Sequence, residues 1–229
     1  MSLRAHKVIR EAEVIVGYKT YLDLLGNLLD GKEVLSSGMT REVERCQKAI
    51  EIAAGGKYVA VISSGDPGIY GMAGITLELV EKQKNNADYG VEIVPGITSA
   101  NAAAASLGAA LMHDFTVISL SDLLTPWELI EKRLFAAAQA DFVTVIYNPV
   151  SKKRTEQIKK AREIFLKFRS PATSVGIVRN AKRGDEEITR TDLEHFLDYP
   201  IDMFTVVLIG NSQTYQTENF MITPRGYKV

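Results

Sequence analysis

Cysteine, histidine and net charge are all scarce in this chain, and each scarcity removes a class of function. One cysteine in 229 residues, Cys46, allows no disulfide within the chain. It falls in an amphipathic helical pattern and reads as a small buried hydrophobe rather than a catalytic thiol. The three histidines, His6, His113 and His195, lie far apart and with one cysteine make no zinc-ligand pattern, so we expect no protein-bound metal. Lys and Arg are scattered and the formal net charge is −1. Nucleic-acid binders carry a basic excess or stripe because phosphate neutralisation dominates their affinity, so that partner is disfavoured. There is no signal-peptide pattern, and no apolar run is long enough to span a bilayer. We expect a cytoplasmic protein with no membrane contact.

What the chain does have is a series of short, β-branched apolar runs of the kind buried parallel strands show. They are VIVGY (14–18), YVAVIS (58–63), VEIVPG (91–96), FTVISL (115–120), FVTVIYN (142–148), SVGIVRN (174–180) and FTVVLIGN (204–211). Met221 to Lys228 adds a last strand with a turn. Helical patterns lie between the runs. Thr40 can cap a helix with Glu42 and Glu44 in its first turn and Val43, Cys46, Ile50 and Ala53 on one face. Thr155 precedes a second stripe of Ile158, Ala161, Phe165 and Phe168. Asn101 to Ala110 is a short Ala-rich helix, and Trp127 to Ala138 is another helix. Strands alternating with helices imply an α/β fold with parallel sheets. The polar, proline-bearing stretch Ser121 to Pro126 marks the expected boundary between two α/β domains, residues 1–120 and 121–229.

Two loops at strand ends stand out. In SSGDPGIYG (63–71), Gly65, Gly68 and Gly71 recur every third residue, and Gly74 continues the spacing. That is neither the dinucleotide fingerprint nor a P-loop. It is either a tight structural turn, with Asp66 capping and Pro67 at its first position, or a backbone cradle for a small ligand. The second loop is VPGITSA (94–100), with a sharp Pro95-Gly96 turn and the hydroxyls of Thr98 and Ser99 opening a helix, where N-capping also explains them. Both loops follow strands of one parallel sheet and so belong on one edge, where such sheets bind ligands.

SSGDPGIYGMAG resembles the signature of the tetrapyrrole methylases, and VPGITSANAAAASLGAALMHDF resembles their matching second segment. Four further blocks are similar to the precorrin-3B and cobalt-factor III C(17)-methyltransferases within that family. They are HDFTVISLSDLLTPWELI (113–130), DFVTVIYNPVSKKR (141–154), VLIGNSQT (207–214) and TPRGY (223–227). The resemblance implies two α/β domains with ligands between them, a homodimer, and S-adenosylmethionine as methyl donor with S-adenosylhomocysteine as product. It implies C17 methylation of a small-molecule tetrapyrrole with ring contraction. By motif match, Ser64, Gly65, Asp66, Ile69, Thr98, Ser99, Tyr147, Asn148 and Arg179 contact the cofactor. Members of this family open with a strand and a G-x-G-P-G loop before the helix that matches Leu3 to Ala12. The chain begins at that helix, so the first strand is expected to be missing.

Ring contraction calls for a proton-transfer group, and Asp66, His113 and Asp114 are the candidates. Asp66 also reads as a turn cap, and His113-Asp114, lying before a strand, reads as structural. A substrate with many carboxylates calls for cations near strand ends, expected to include Lys19, Arg154, Arg183 and Arg225, with Lys152 and Lys153 beside them. Each alone also reads as a solvated surface charge. Rival readings are a same-family methylase with another substrate and a truncated, non-catalytic cofactor-binding subunit.

Overall fold

In the computed structural model, which describes residues 1–38, 41–83 and 89–228, the chain divides into two compact units, Met1–Thr98 and Ser99–Val229. The first unit is built on a parallel three-stranded sheet. β1 (Val14–Tyr18) is its centre, flanked by β2 (Glu33–Ser37) and β3 (Val59–Ile62). Because successive side chains on a strand point to opposite faces, Ile15 packs with Ile9, Leu22 and Ile62 on one face, and Val14 and Val16 pack with Ala49 on the other. The helices that cover the sheet are α1 (Leu3–Glu11), the short α2 (Lys19–Leu22), α3 (Glu42–Ala54) and α4 (Ala73–Lys82).

α3 buries Arg45, Cys46, Ala49 and Ile50, whereas Val43 is exposed. The buried stripe is therefore rotated from the apolar positions expected, because the Arg45 head group is held by Ser37 and Gly38. The Thr40 cap lies outside the described residues. VEIVPG, expected as a strand, has no strand partner among the described residues. Its Val91 and Ile93 stay exposed, and Glu92 is taken up in an ion pair with Arg4 of α1.

The second unit carries a five-stranded sheet in the order β5-β6-β9-β7-β8. These strands are β5 (Phe115–Ser119), β6 (Val143–Tyr147), β7 (Ser174–Arg179), β8 (Glu187–Asp192) and β9 (Thr205–Ile209). Only the β5–β6 pairing is parallel; β6–β9, β9–β7 and β7–β8 are antiparallel. The expectation of a wholly parallel sheet fails here because β7 turns back into β8 with no crossover helix, and β9, reached past the short 3-10 turn Phe196–Asp198, keeps that reversed direction. A small second sheet joins β4 (Gly108–Ala109) to β11 (Met221–Ile222) and β11 to β10 (Tyr215–Gln216).

β5 pairs with β6 along its whole length, so it belongs to the second unit. The expected boundary at 121–126 accordingly falls inside that unit, as the loop from β5 to α6 (Trp127–Gln139). One face of the large sheet packs Ile146, Ile177, Val207 and Ile209 against α6 and α7 (Glu156–Leu166). The other packs Val145, Val178 and Leu208 under the Ala-rich α5 (Ser99–Leu107). Phe168, expected in the α7 stripe, lies beyond the helix and stacks edge-to-face on Phe135.

Gly176 of β7 shows how closely α5 is seated. A Cβ there would overlap the Leu107 side chain, which is fully buried. Gly176→Ala should therefore destabilise the protein by about 1–3 kcal/mol through overpacking, and Leu107→Ala by about 2–5 kcal/mol through a cavity. Each change relieves the other, so the double variant should lose clearly less than the sum of the two, as read by chemical denaturation.

Candidate active site

In the first unit the loop after β3 folds back on itself. Pro67 O accepts from the Ala73 N–H at 2.9 Å, and Ser63 Oγ accepts from the Met72 N–H at 2.9 Å. Asp66 occupies the centre. Its Oδ1 accepts from the Gly68 N–H at 2.8 Å, closing an Asx-type turn. Its Oδ2 accepts from the Gly96 N–H at 2.8 Å, which fastens the second loop to the first. The two backbones touch, and a Cβ at Gly96 would overlap the Gly65 carbonyl oxygen. Gly65 adopts φ +73°, a left-handed conformation that glycine tolerates without strain. Ser2 Oγ caps α1 by accepting from the Ala5 N–H at 3.2 Å, and donates to Pro95 O at 3.0 Å.

The structure thus brings Ser64, Gly65, Asp66 and Ile69 together with the Pro95–Thr98 turn. Ile69 and Ile97 remain 40% and 51% exposed beside it. Sequence reasoning missed Ser63, whose position directly after a strand was the available signal. It also missed Arg45. That buried guanidinium donates to Ser37 Oγ at 2.8 Å and Gly38 O at 2.9 Å and lies 3.8 Å from Met72 Sδ. It ties the end of β2 to the residue that opens α4. Lys19 is engaged by Asp23 at 3.0 Å.

In the second unit, Tyr147 ends β6 and its hydroxyl accepts from the Ala100 N–H at 2.8 Å, in the first turn of α5 that Ser99 opens. Asn148 follows with φ +50° and donates from Nδ2 to Ser119 Oγ at 2.9 Å. Its carbonyl accepts from Arg154 Nη2 at 2.7 Å. Arg154 Nε is buried without a hydrogen-bond partner among the described residues, and burial lowers its pKa against a partial offset from Asp122. Asn180, Lys182 and Asp185, in the loop after β7, also have positive φ. Such outliers gather where structure serves a ligand rather than stability.

Arg179 ends β7 in ion pairs with Asp202 at 2.9 Å and Glu187 at 3.3 Å. Arg183 and Arg225 lie on the surface. His113 and Asp114 precede β5, and Asp114 O accepts from the Val143 N–H at the start of β6. His113 Nδ1 accepts from the Asp114 N–H at 2.9 Å. The length of β5, roughly 16 Å at the usual rise, separates this pair from Ser119 and Asn148. Their placement is at the opposite end of β5 from those strand-end residues, before the strand as the sequence has them.

A family model described as Tetrapyrrole (Corrin/Porphyrin) Methylases matches residues 1–197. A Salmonella typhimurium protein named probable cobalt-factor III C(17)-methyltransferase is 51% identical over 227 residues, 99% of this chain and 93% of its own length. A Priestia megaterium protein named cobalt-factor III methyltransferase is 53% identical over 227 residues. That alignment takes in 98% of this chain but 42% of the relative, so the chain spans less than half of that protein. The crystal structure of the methyltransferase CobJ superposes with TM-score 0.90 at 36% identity, over 98% of this chain and 93% of that one.

Two outcomes follow from the geometry. Asp66→Asn keeps one acceptor and turns an amide N–H toward a backbone N–H. It should cost about 1–3 kcal/mol of stability in denaturant unfolding. Burial pulls the Asp202 carboxyl upward, but hydrogen bonds from Arg179, the Phe204 N–H and Thr205 outweigh it and hold the group below the ordinary aspartate range. A lowered folded pKa stabilises the fold above the unfolded pKa of about 3.9 and ceases to do so as pH falls through the folded value. The stability gap between wild type and Asp202→Asn should therefore be full near neutrality and close on acidification, followed by unfolding midpoints across that range.

Proposed function

The chain belongs to the tetrapyrrole (corrin/porphyrin) methylases, and from that premise we propose that it methylates C17 of cobalt-factor III or precorrin-3B with contraction of the macrocycle. The observation that carries the reading is the Asp66-clamped pair of loops, in a chain that aligns over nearly the full length of a relative named for that reaction.

The first unit's loop edge fits S-adenosylmethionine. Residues 63–71 and 94–98 contain no Lys or Arg to repel a sulfonium. Their one carboxylate, Asp66, has both oxygens turned to backbone N–H groups. Exposed Ile69 and Ile97 offer apolar surface to an adenine ring. Ser64, Gly65, Ile69 and Thr98 are the proposed contacts there, and Asp66 is a positioning residue that fixes the two loops. Ser99, Tyr147, Asn148 and Arg179 are proposed for the cofactor on the family resemblance. Arg179 would first have to be shared with its two carboxylates, so it is the weakest of them.

When bound, the cofactor supplies the methyl group, which the substrate carbon takes as the carbon–sulfur bond breaks and S-adenosylhomocysteine is left. The protein's part is orientation in a dry pocket, which suits a site of glycines and hydroxyls with few titratable groups. Of the cations proposed for the substrate's carboxylates, Arg154 is best prepared, because its Nε has no hydrogen-bond partner among the described residues. Arg183 and Arg225 remain proposals as surface cations. Lys19 is the least prepared, being paired with Asp23. The reading includes a cytoplasmic homodimer; no helix among the described residues is long and apolar enough to cross a membrane.

Mass spectrometry decides the matter. The chain with S-adenosylmethionine should add one methyl to cobalt-factor III under anaerobic conditions, or to precorrin-3B in air. Isothermal titration should show S-adenosylhomocysteine binding. Binding without methyl transfer to either substrate would reduce the chain to a cofactor-binding subunit.

A further inference from the structure

We propose that Leu123 and Leu124, at the tip of the loop between β5 and α6, form an apolar lip that bears on the face of the tetrapyrrole macrocycle. This rests on the reading of the chain as a tetrapyrrole methylase and names a substrate contact that the reading does not supply.

The two leucines are 74% and 94% exposed, although the loop that carries them is tied down on both sides. On the β5 side, Leu120 is fully buried, and its N–H donates to Tyr147 O at 2.9 Å. The Ser121 N–H donates to Ser119 Oγ at 3.2 Å. Asp122 Oδ2 accepts from Gln157 Nε2 of α7 at 2.7 Å. On the α6 side, Pro126 O accepts from the Leu129 N–H at 3.1 Å, and Lys160 lies over the Trp127 ring at 5.6 Å. The tip therefore stands clear of the protein because its stems hold it there. Leucine side chains left in water forgo the burial that folding normally gives them, and apolar groups displayed together on a fixed loop mark a contact surface.

The neighbours say which contact. The loop leaves β5 at Ser119, whose hydroxyl receives Asn148 Nδ2, and Asn148 O in turn receives Arg154. Asp122, next to the leucines, is close enough to act on the Arg154 charge. Arg154 keeps a buried Nε without a partner, and Lys152 and Lys153 are exposed on the same Ser151–Arg154 turn. An apolar lip beside three cations, one with an unsatisfied donor, matches a flat apolar body rimmed by carboxylates. A purely apolar partner would leave those cations unanswered.

The test is the double variant Leu123→Ser/Leu124→Ser in the full chain, assayed with cobalt-factor III and S-adenosylmethionine. The KM for cobalt-factor III should rise by roughly 10- to 100-fold while kcat changes by less than roughly 3-fold. The S-adenosylhomocysteine affinity should be unchanged and the melting temperature should not fall, since neither side chain is packed. Leu123→Met/Leu124→Met should keep the wild-type KM. An unchanged KM in the serine variant, with wild type active, overturns the lip and leaves the methylase reading standing. A fall in sedimentation mass on the same substitution overturns it too, by giving the leucines to a second copy of the chain. If wild-type protein transfers no methyl to cobalt-factor III or to precorrin-3B, the functional reading fails and the lip falls with it; if it uses precorrin-3B alone, the same KM comparison is made with precorrin-3B.

Discussion

Both oxygens of the Asp66 carboxylate accept backbone N–H groups, one from its own turn and one from the Gly96 turn, and the shape of the first unit's carboxyl edge follows from that. With the oxygens so placed, Gly65 and Gly96 must pass backbone to backbone, which excludes any side chain at Gly96. Ser63 then sits where its hydroxyl receives the Met72 N–H, and Arg45 joins Met72 to the end of β2. A charged acceptor makes roughly twice the bond a neutral one does, so an aspartate at this place is worth more than the asparagine that could fill it. The same engagement fixes the Asp66 carboxylate between the two loops. A carboxylate that holds two loops together contributes to chemistry through geometry.

The second unit divides its labour between the two edges of one sheet. At the edge where β5 and β6 begin, Arg169 donates to Gly210 O and to Phe142 O at 2.7 Å, and Asp141 receives both the N–H and the hydroxyl of Ser212. Asn211 Oδ1 accepts from the Gln213 N–H and the Thr214 hydroxyl. That edge is closely fastened, although Arg169 Nε, 3.6 Å from Asp141 Oδ1, has no hydrogen-bond partner among the described residues. At the other edge lie the positive-φ residues Asn148, Asn180, Lys182 and Asp185, the unpartnered Arg154 Nε and the exposed leucines. Side-chain ties to the backbone gather at the edge where β5 and β6 begin, which also holds the positive-φ Asp141, and the exposed leucines stand at the other.

Much of this was legible in the sequence because buried strands and glycine loops write their constraints in residue type. β1, β3, β5, β6, β7 and β9 are continuous apolar runs and were expected. β2 (EVLSS) and β8 (EITRTD) are edge strands, half solvated, and carry no such run. VEIVPG has the composition of a strand but no neighbour to pair with among the described residues, and composition cannot report a neighbour. The rotation of α3 escaped because a hydrophobic pattern does not anticipate a buried arginine whose head group finds a hydroxyl and a carbonyl. That the two loops would lie together was expected, but from a strand at 91–96 that has no partner among the described residues. That one aspartate would join them was not, because the Gly96 N–H lies thirty positions away in sequence.

A consequence follows for how the blocks of resemblance are weighed. GNSQT (210–214) and HDF (113–115) are among the runs most similar to one subfamily, yet both lie at the fastened edge. There Gly210 is fixed by Thr214, against which a Cβ would collide at 2.5 Å, and Asp114 O accepts the Val143 N–H where the β5–β6 ladder begins. Residues at such places are constrained by packing and hydrogen bonding, which report the scaffold. Substrate choice acts through groups that change partners when a ligand arrives. In this unit those are the exposed or unsatisfied groups of the other edge, on the stretches that follow β5 and β6. On the proposed reading, SDLLTP and NPVSKKR are therefore the stretches that would meet the substrate, although they share their blocks of resemblance with better-anchored residues such as HDF.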